Sequence, residues 1–154
     1  MDDAIFRRAI IHDVPAMVDL INYYAQKGDM LPRSRSAIYE QLRDFVVTEK
    51  DGRVAATGAL HVVWETLGEI RSVSVLADYA GQGYGKRLVE LLLDEAIFLG
   101  LSRVFILTYK PDFFAKVGFK LIEKDSLPHK VWRVCLDCPK FPDCDEIAMA
   151  IDLK

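Results

Sequence analysis

The sequence lacks long uninterrupted apolar runs and an excess of basic charge, and each absence excludes a class of protein. Every long apolar stretch is broken by Asp, Glu, Lys or Arg, so we expect no membrane-spanning helix and no membrane partner. The formal net charge of −3 provides no basic field that would attract a polyanion, and nucleic acid is therefore not an expected partner.

Cysteine is also scarce. The three cysteines all lie between Cys135 and Cys144, and an odd number cannot form a disulfide framework by itself. This usage suits a reducing compartment, and the acidic start Met1-Asp2-Asp3 differs from a basic secretory signal. We therefore expect a cytoplasmic protein.

The same cysteines raise the question of a metal. Cys135-x-x-Cys138, with Cys144 and His129 nearby, has the ligand types of a closed zinc site. However, a zinc ribbon usually has two Cys-x-x-Cys halves, and this loop is short. Ordinary free or buried thiols are the favoured interpretation, and we predict no metal site.

What is present fits one compact domain. The chain has 154 residues, of which 51% are hydrophobic and 28% charged, and its Pro and Gly residues are scattered rather than clustered. We see no repeat and no linker, and we expect a single domain over residues 1–154.

Hydrophobic periodicity predicts a sheet with helices on both faces, in the α/β or α+β class. Asp13 is the expected N-cap of a first helix with Pro15 in its first turn, and Asp51-Gly52 is a favoured hairpin turn. The predicted strands are 5–11, 45–50, 53–63, 68–76, 104–107, 119–122 and 147–151, and the later helices are 37–44, 84–99 and 112–117.

A glycine-rich turn, Gly81-Gln82-Gly83-Tyr84-Gly85-Lys86, stands between a predicted strand and a predicted helix. Backbone N–H groups at such a position can converge on an anion, with the helix dipole behind them. The turn is not a Walker A loop, because too few residues separate its glycines and Arg87 follows the lysine. It also lacks the third glycine of the dinucleotide fingerprint. A tight turn without a ligand remains the alternative.

Two phrases, Tyr79 to Leu88 and Phe113 to Phe119, resemble the GNAT acetyltransferases, and the resemblance covers almost the whole chain. It implies a GNAT fold with a mixed, mostly antiparallel sheet of about six to seven strands, and acetyl-CoA as co-substrate. In that family the glycine turn holds the pyrophosphate, the preceding strand pairs with the pantetheine arm, and the Phe-x-Lys-x-Gly-Phe helix lies beside the cofactor. The implied cofactor-binding residues are Val73, Ser74, Val75, Gly81, Gln82, Gly83, Tyr84, Gly85, Lys86, Phe113, Phe114 and Lys116.

The chain departs from the family pattern at two positions. Ala80 stands where Arg or Gln usually opens the pyrophosphate motif, which removes at most one side-chain contact. Phe114 stands where many members have a Tyr that protonates the departing thiolate, and a phenyl ring cannot donate a proton. Another acid is therefore needed, or the chain is a GNAT-shaped acyl-CoA binding module without catalysis.

Further phrases, 30–35, 68–75 and 104–108, resemble the acetyltransferase domain of the N-acetylglutamate synthase family, without its amino-acid-kinase-like domain. The resemblance implies transfer of acetyl to the α-amine of a small acidic amino acid, glutamate first, as in arginine biosynthesis. The same resemblance implies that Glu69 is the general base and that Thr108 is the general acid. Chemistry requires both roles, because an α-ammonium is not nucleophilic until a proton leaves. Alternatively, Glu69 is a solvated strand residue and Thr108 an end cap.

A pocket for an acidic amino acid needs basic side chains that bind the carboxylates of this acceptor. Arg33 and Arg35 precede the second helix, and Lys130 and Lys140 fall where the synthase family presents basic side chains, although each could equally be a solvated surface residue. Ser72 is the remaining predicted substrate residue, and it shares a cleft with Glu69 only if the strand contains a β-bulge, which we therefore predict. Another amino acid or small amine is the alternative acceptor, and the family makes a homodimer possible.

Overall fold

The computed structural model describes residues 3–127 and 146–153. Its strands are β1 (Ile5–Arg8), β2 (Phe45–Lys50), β3 (Arg53–Trp64), β4 (Leu67–Val75), β5 (Arg103–Thr108), β6 (Lys120–Leu121) and β7 (Ile147–Asp152). Its α-helices are α1 (Val14–Gln26), α2 (Arg35–Glu40), α3 (Tyr84–Leu99) and α4 (Pro111–Val117).

The strands form a seven-stranded sheet in the order β1-β2-β3-β4-β5-β7-β6. Neighbours pair antiparallel except β4 and β5, which are parallel. The predicted mixed, mostly antiparallel sheet is thus confirmed. Among the described residues, no helix is long and apolar enough to cross a membrane.

Helices cover both faces of the sheet, as predicted. Ala59 packs with α1 and α2, whereas the next residue of β3, Leu60, packs with α3 on the opposite face. Because successive strand residues point to opposite faces, these two clusters lie on either side of one sheet. We call the first the α1 face and the second the α3 face.

The β2–β3 hairpin has the predicted two-residue turn. Asp51 and Gly52 both have positive φ, at 55° and 72°. Two positive φ values in succession define the type I′ turn, whose twist matches that of the flanking strands.

Three predicted elements are altered in the structure, and the predicted bounds of the other elements shift by at most one residue at either end. β1 ends at Arg8 because Ile11–Asp13 form a 3₁₀ turn. The second helix begins two residues earlier, at Arg35, and ends at Glu40, before a 3₁₀ turn over Leu42–Asp44. The strand predicted at 119–122 is reduced to Lys120–Leu121.

Asp13 occupies the N-cap position of α1 as predicted, but its carboxylate does not cap the helix. It accepts two hydrogen bonds from the Arg7 guanidinium, at 2.7 and 2.9 Å, and one from the backbone N–H of Ile10 at 2.8 Å. The carboxylate therefore ties the start of α1 back to β1, because a charged donor competes better for it than the helix amides do.

Candidate active site

A cleft opens where the two parallel strands separate. Pairing between β4 and β5 joins Leu67–Glu69 to Arg103–Phe105 and, among the described residues, goes no further, although β4 continues to Val75 and β5 to Thr108. The cavity has a volume of about 320 Å³. Its lining residues are Tyr24, Asp29, Met30, Ser72, Val73, Ser74, Val75, Ala80, Gly85, Ile106, Leu107, Thr108, Lys110, Phe113, Phe114 and Glu146.

The predicted β-bulge is present on the β4 side of this cleft. Thr57 pairs with Ser74 and Ala59 pairs with Arg71, so two residues of β4, Ser72 and Val73, oppose one residue of β3. Ser72 has φ of 59°, in the left-handed region that a side chain rarely adopts. The extra residue changes the alternation of the strand, and Ser74 consequently shares the α1 face with Arg71.

The glycine turn lies at one end of the cleft, and its backbone suits an anion. Gly81 and Gly83 have φ of 79° and 82°, and no atom lies within 4 Å of the position that a Cβ would take at either residue. The first intrahelical bond of α3 joins Arg87 N–H to Gly83 O at 3.0 Å. The N–H groups of Gly85 and Lys86 precede that bond, and N–H groups in the first turn of a helix have no acceptor within it, which suits them to an anionic ligand.

Helix α4 packs against the same turn. A Cβ at Gly85 would lie 3.3 Å from the Phe113 ring, so glycine permits this contact between α3 and α4. Phe114 is only 4% exposed and packs edge to face on Phe113 and Phe119, at centroid distances of 4.9 and 5.5 Å. It lines the cleft as an apolar wall, whereas Lys116 is exposed and lies outside the lining.

Thr108 has the geometry that a proton donor needs. It ends β5, lines the cleft and is 6% exposed. Its Oγ1 accepts a hydrogen bond from Lys110 N–H at 2.8 Å, which leaves the hydroxyl proton available to another acceptor. Thr108 therefore supplies a donor in the cleft that Phe114 also lines.

Glu69 and Phe105 form the last pair between β4 and β5 before the two strands separate. Its side chain is 13% exposed, and its Oε1 accepts a hydrogen bond from Arg71 Nε at 2.6 Å. Glu69 is not among the lining residues of the cleft. A proton can therefore pass from an amine in the cleft to Glu69 only through a water molecule or after a small movement of the Glu69 side chain.

The basic residues predicted to bind the carboxylates of the acceptor do not line the cleft in the described part of the structure. Arg33 is held against α1 through its backbone, because the Asn22 side chain bonds both its N–H and its C=O at 3.1 Å. Asp29 and Met30 of the same segment line the cleft, and neither Arg33 nor Arg35 does. Lys130, Lys140 and the possible zinc ligands His129, Cys135, Cys138 and Cys144 lie outside the described residues.

Four polar lining residues, Tyr24, Asp29, Lys110 and Glu146, were not singled out from the sequence. Tyr24 donates a hydrogen bond from its hydroxyl to Val75 O at 2.5 Å, and burial raises the pKa of this phenol. Glu146, 7% exposed, precedes β7, and Lys110 follows β5. Each stands next to or within a predicted element, but only contacts between elements that are distant in the sequence form the cleft that it lines.

Comparison with known proteins agrees with this geometry. The profile of the acetyltransferase (GNAT) family matches residues 16–119. The chain belongs to the GNAT acetyltransferase family. The GNAT fold and the acyltransferase class predicted from the sequence are thereby confirmed, with acetyl-CoA as the family's acetyl donor.

Individual relatives narrow the class within the GNAT family. An uncharacterised N-acetyltransferase of Chlorobaculum tepidum is 41% identical over 96% of the chain and 95% of its own length. An amino-acid acetyltransferase of Mycobacterium tuberculosis is 43% identical over 83% of the chain and 75% of its own length. The chain is thus similar over most of its length to a GNAT-type amino-acid acetyltransferase.

The structure of N-acetylglutamate synthase from Neisseria gonorrhoeae, complexed with coenzyme A and N-acetyl-glutamate, is similar over 100% of the chain with a TM-score of 0.88 and 26% identity. The chain spans 36% of that protein's length.

Proposed function

We propose that the protein transfers acetyl from acetyl-CoA to the α-amino group of an amino acid, with L-glutamate as the acceptor. The observation that carries this proposal is the cleft between β4 and β5, which is lined by Gly85 of the glycine turn and opens directly after the pair of Glu69 with Phe105. Similarity to a synthase complexed with N-acetyl-glutamate supports the choice of acceptor.

The residues around the cleft fit acetyl-CoA. The N–H groups of Gly83 to Lys86 form the anion site for its diphosphate, and the open space beside Gly81 and Gly83 lets phosphate approach the main chain. Val73, Ser74 and Val75 line the cleft in the part of β4 that does not pair with β5. Their peptide groups can therefore form hydrogen bonds with the pantetheine arm. Gln82, Lys86, Phe113, Phe114 and Lys116 complete the proposed cofactor site.

Catalysis then needs one base and one acid. Glu69 removes a proton from the acceptor's ammonium through water, and the freed nitrogen attacks the thioester carbon. The main-chain N–H near Val73 stabilises the negative charge that develops on the thioester oxygen. As the C–S bond breaks and the N–C bond is kept, the Thr108 hydroxyl donates a proton to the sulfur and regains one from the nitrogen.

The charges of the lining suit a zwitterionic acceptor. Asp29 and Glu146 present carboxylates toward the acceptor's ammonium, while Lys110 presents a cation. Ser72, Arg33, Arg35, Lys130 and Lys140 remain the further proposed contacts of its carboxylates. The same proposal includes a single acetyltransferase domain and a cytoplasmic role in amino-acid biosynthesis toward arginine, supported by the cysteine usage and by the relatives.

An acceptor screen tests the proposal. Thiol release is measured after mixing the protein with acetyl-CoA and each of a panel of amino acids and small amines, glutamate and aspartate included. Fastest turnover with glutamate is the expected result. If only a different amine is acetylated, that amine is the acceptor and not glutamate. Binding of acetyl-CoA without acetylation of any amine would favour a non-catalytic module.

The roles of Glu69 and Thr108 are tested by variants. Glu69→Gln and Thr108→Val should each lower kcat by on the order of 10²-fold at neutral pH, because each removes one proton-transfer group. The Kd for acetyl-CoA should stay unchanged in calorimetry. Glu65→Gln, an exposed change in the β3–β4 turn, is the matched control. Equal losses of kcat and acetyl-CoA affinity would remove Glu69 from the role of base.

A further inference from the structure

The proposed reaction releases a proton that must reach solvent. At neutral pH the acceptor begins as an ammonium and loses two protons, of which one goes to the sulfur of CoA. The other is taken by Glu69 and has to leave before the next turnover. The inference below rests on the proposed function and concerns the path of this second proton.

The carboxylate of Glu69 is poorly placed to release a proton by itself. Its side chain is 13% exposed and is held by Arg71. The residue directly opposite Glu69 on β3 is His61, in the antiparallel register. Directly opposed residues point to the same face and have Cβ atoms about 5 Å apart. His61 therefore stands beside Glu69 on the α1 face.

His61 is itself oriented by a carboxylate. Its Nδ1 lies 2.7 Å from Asp44 Oδ2, and the two side chains are 33% and 27% exposed. An ionised carboxylate only accepts, so Nδ1 donates to Asp44 and Nε2 of the neutral ring carries the lone pair. Asp44 thus fixes the ring in the tautomer that can accept a proton at Nε2.

We propose that the Asp44–His61 pair carries the proton from Glu69 to solvent. The proton moves from Glu69, through one water, to Nε2 of His61, and Asp44 stabilises the imidazolium that forms. Loss of that proton to solvent returns both residues to their starting states, with no net change in the pair. Solvent exposure increases along this path, from Glu69 to His61.

Charged side chains stand at both ends of this path. Among the described residues, the ion pairs and the strand register place three charged groups beside His61: Asp44 from the turn before β2, and Glu69 and Arg71 from β4. Arg71 holds the Glu69 carboxylate and Asp44 holds the His61 ring, so both groups of the path are fixed in position. His61 is a positioning and relay residue in this scheme, and it does not contact the reacting nitrogen.

The test compares His61→Gln with His12→Gln, the same change at an exposed histidine in the turn before α1. We expect His61→Gln to lower kcat about tenfold with little change in KM, because proton removal by one positioned group is lost. The solvent deuterium isotope effect on kcat should rise, and added imidazole should restore much of kcat. Asp44→Asn should give a smaller loss that imidazole also relieves, and His12→Gln should behave as wild type.

The outcomes separate this inference from the proposed function. A wild-type protein that acetylates no amino acid would overturn both. If the wild-type protein is active and His61→Gln has the same kcat and isotope effect, only the proton relay is overturned. A loss that imidazole does not relieve, with a lowered melting temperature, would make His61 a structural residue and also overturn the relay.

Discussion

At the scale of single residues, Asp13 shows how one buried carboxylate can join three elements. Its side chain is 4% exposed and pairs with Arg7 of β1, which also bonds Glu49 of β2. Burial by itself would raise the pKa of Asp13, but the hydrogen bonds from Arg7 and from Ile10 N–H outweigh burial and hold it below the usual range. The ion pair therefore stabilises the folded state at neutral pH.

This pKa shift predicts a loss of stability in acid. A carboxyl group with a lowered pKa in the folded state contributes fully above the unfolded value of about 4, and the contribution is lost as pH falls through the folded value. Asp13→Asn should lower the free energy of unfolding by about 2 kcal/mol at pH 7, the usual loss for a hydrogen bond to a charged group. Urea unfolding at several pH values measures the effect.

The control for this prediction is Asp152→Asn. Asp152 also pairs with an arginine, Arg103, but its side chain is 74% exposed. Exposed ion pairs contribute little, so no measurable change in unfolding is expected. Equal stability of wild type and Asp13→Asn at pH 7 would contradict the assigned role of the buried pair.

At the scale of elements, the two ends of α3 have different proposed roles although their glycines share a backbone conformation. Gly83 begins the helix with φ of 82°, and Gly100 ends it with φ of 90°. Both positions are open, with no atom within 4 Å of an added Cβ. A side chain at either residue therefore costs a similar free energy of unfolding, but only Gly83 belongs to the proposed phosphate site.

We predict that Gly83→Ala and Gly100→Ala lower the melting temperature by similar amounts, since each places alanine in the left-handed region at a cost of about 1 kcal/mol. Only Gly83→Ala should weaken acetyl-CoA binding, by about tenfold or more, because the added methyl group meets the phosphate and displaces the amides. Calorimetric titration with acetyl-CoA measures the difference. Equal affinities of the two variants would argue against the glycine turn as the anion site.

At the scale of the whole molecule, local patterns predicted most elements but not the order of the strands. β7 lies between β5 and β6, with Phe105 opposite Ala150, and no local pattern predicts a pairing over so many residues. That pairing brings Glu146 to the cleft, which is why sequence analysis did not single it out. Tyr24 was missed for a similar reason, because its contact with Val75 joins α1 to β4.

The bulge in β4 could be predicted because a chemical requirement conflicted with a regular strand. Glu69 and Ser72 have opposite parity, so they share a cleft only if one residue is added. Arg33 and Arg35 were harder to place, because the side chain of Asn22 in α1 fixes the backbone at Arg33. Charge alone does not determine which residue of such a segment faces the cleft.

The most direct test of the proposed site is a crystal structure of the protein with acetyl-CoA bound. We predict that the diphosphate lies within about 3 Å of the N–H groups of Gly83 to Lys86. The acetyl group should lie between the bulge at Ser72 and the hydroxyl of Thr108. A bound cofactor whose diphosphate lies away from this turn, or whose acetyl group lies outside the opening between β4 and β5, would contradict the proposed site.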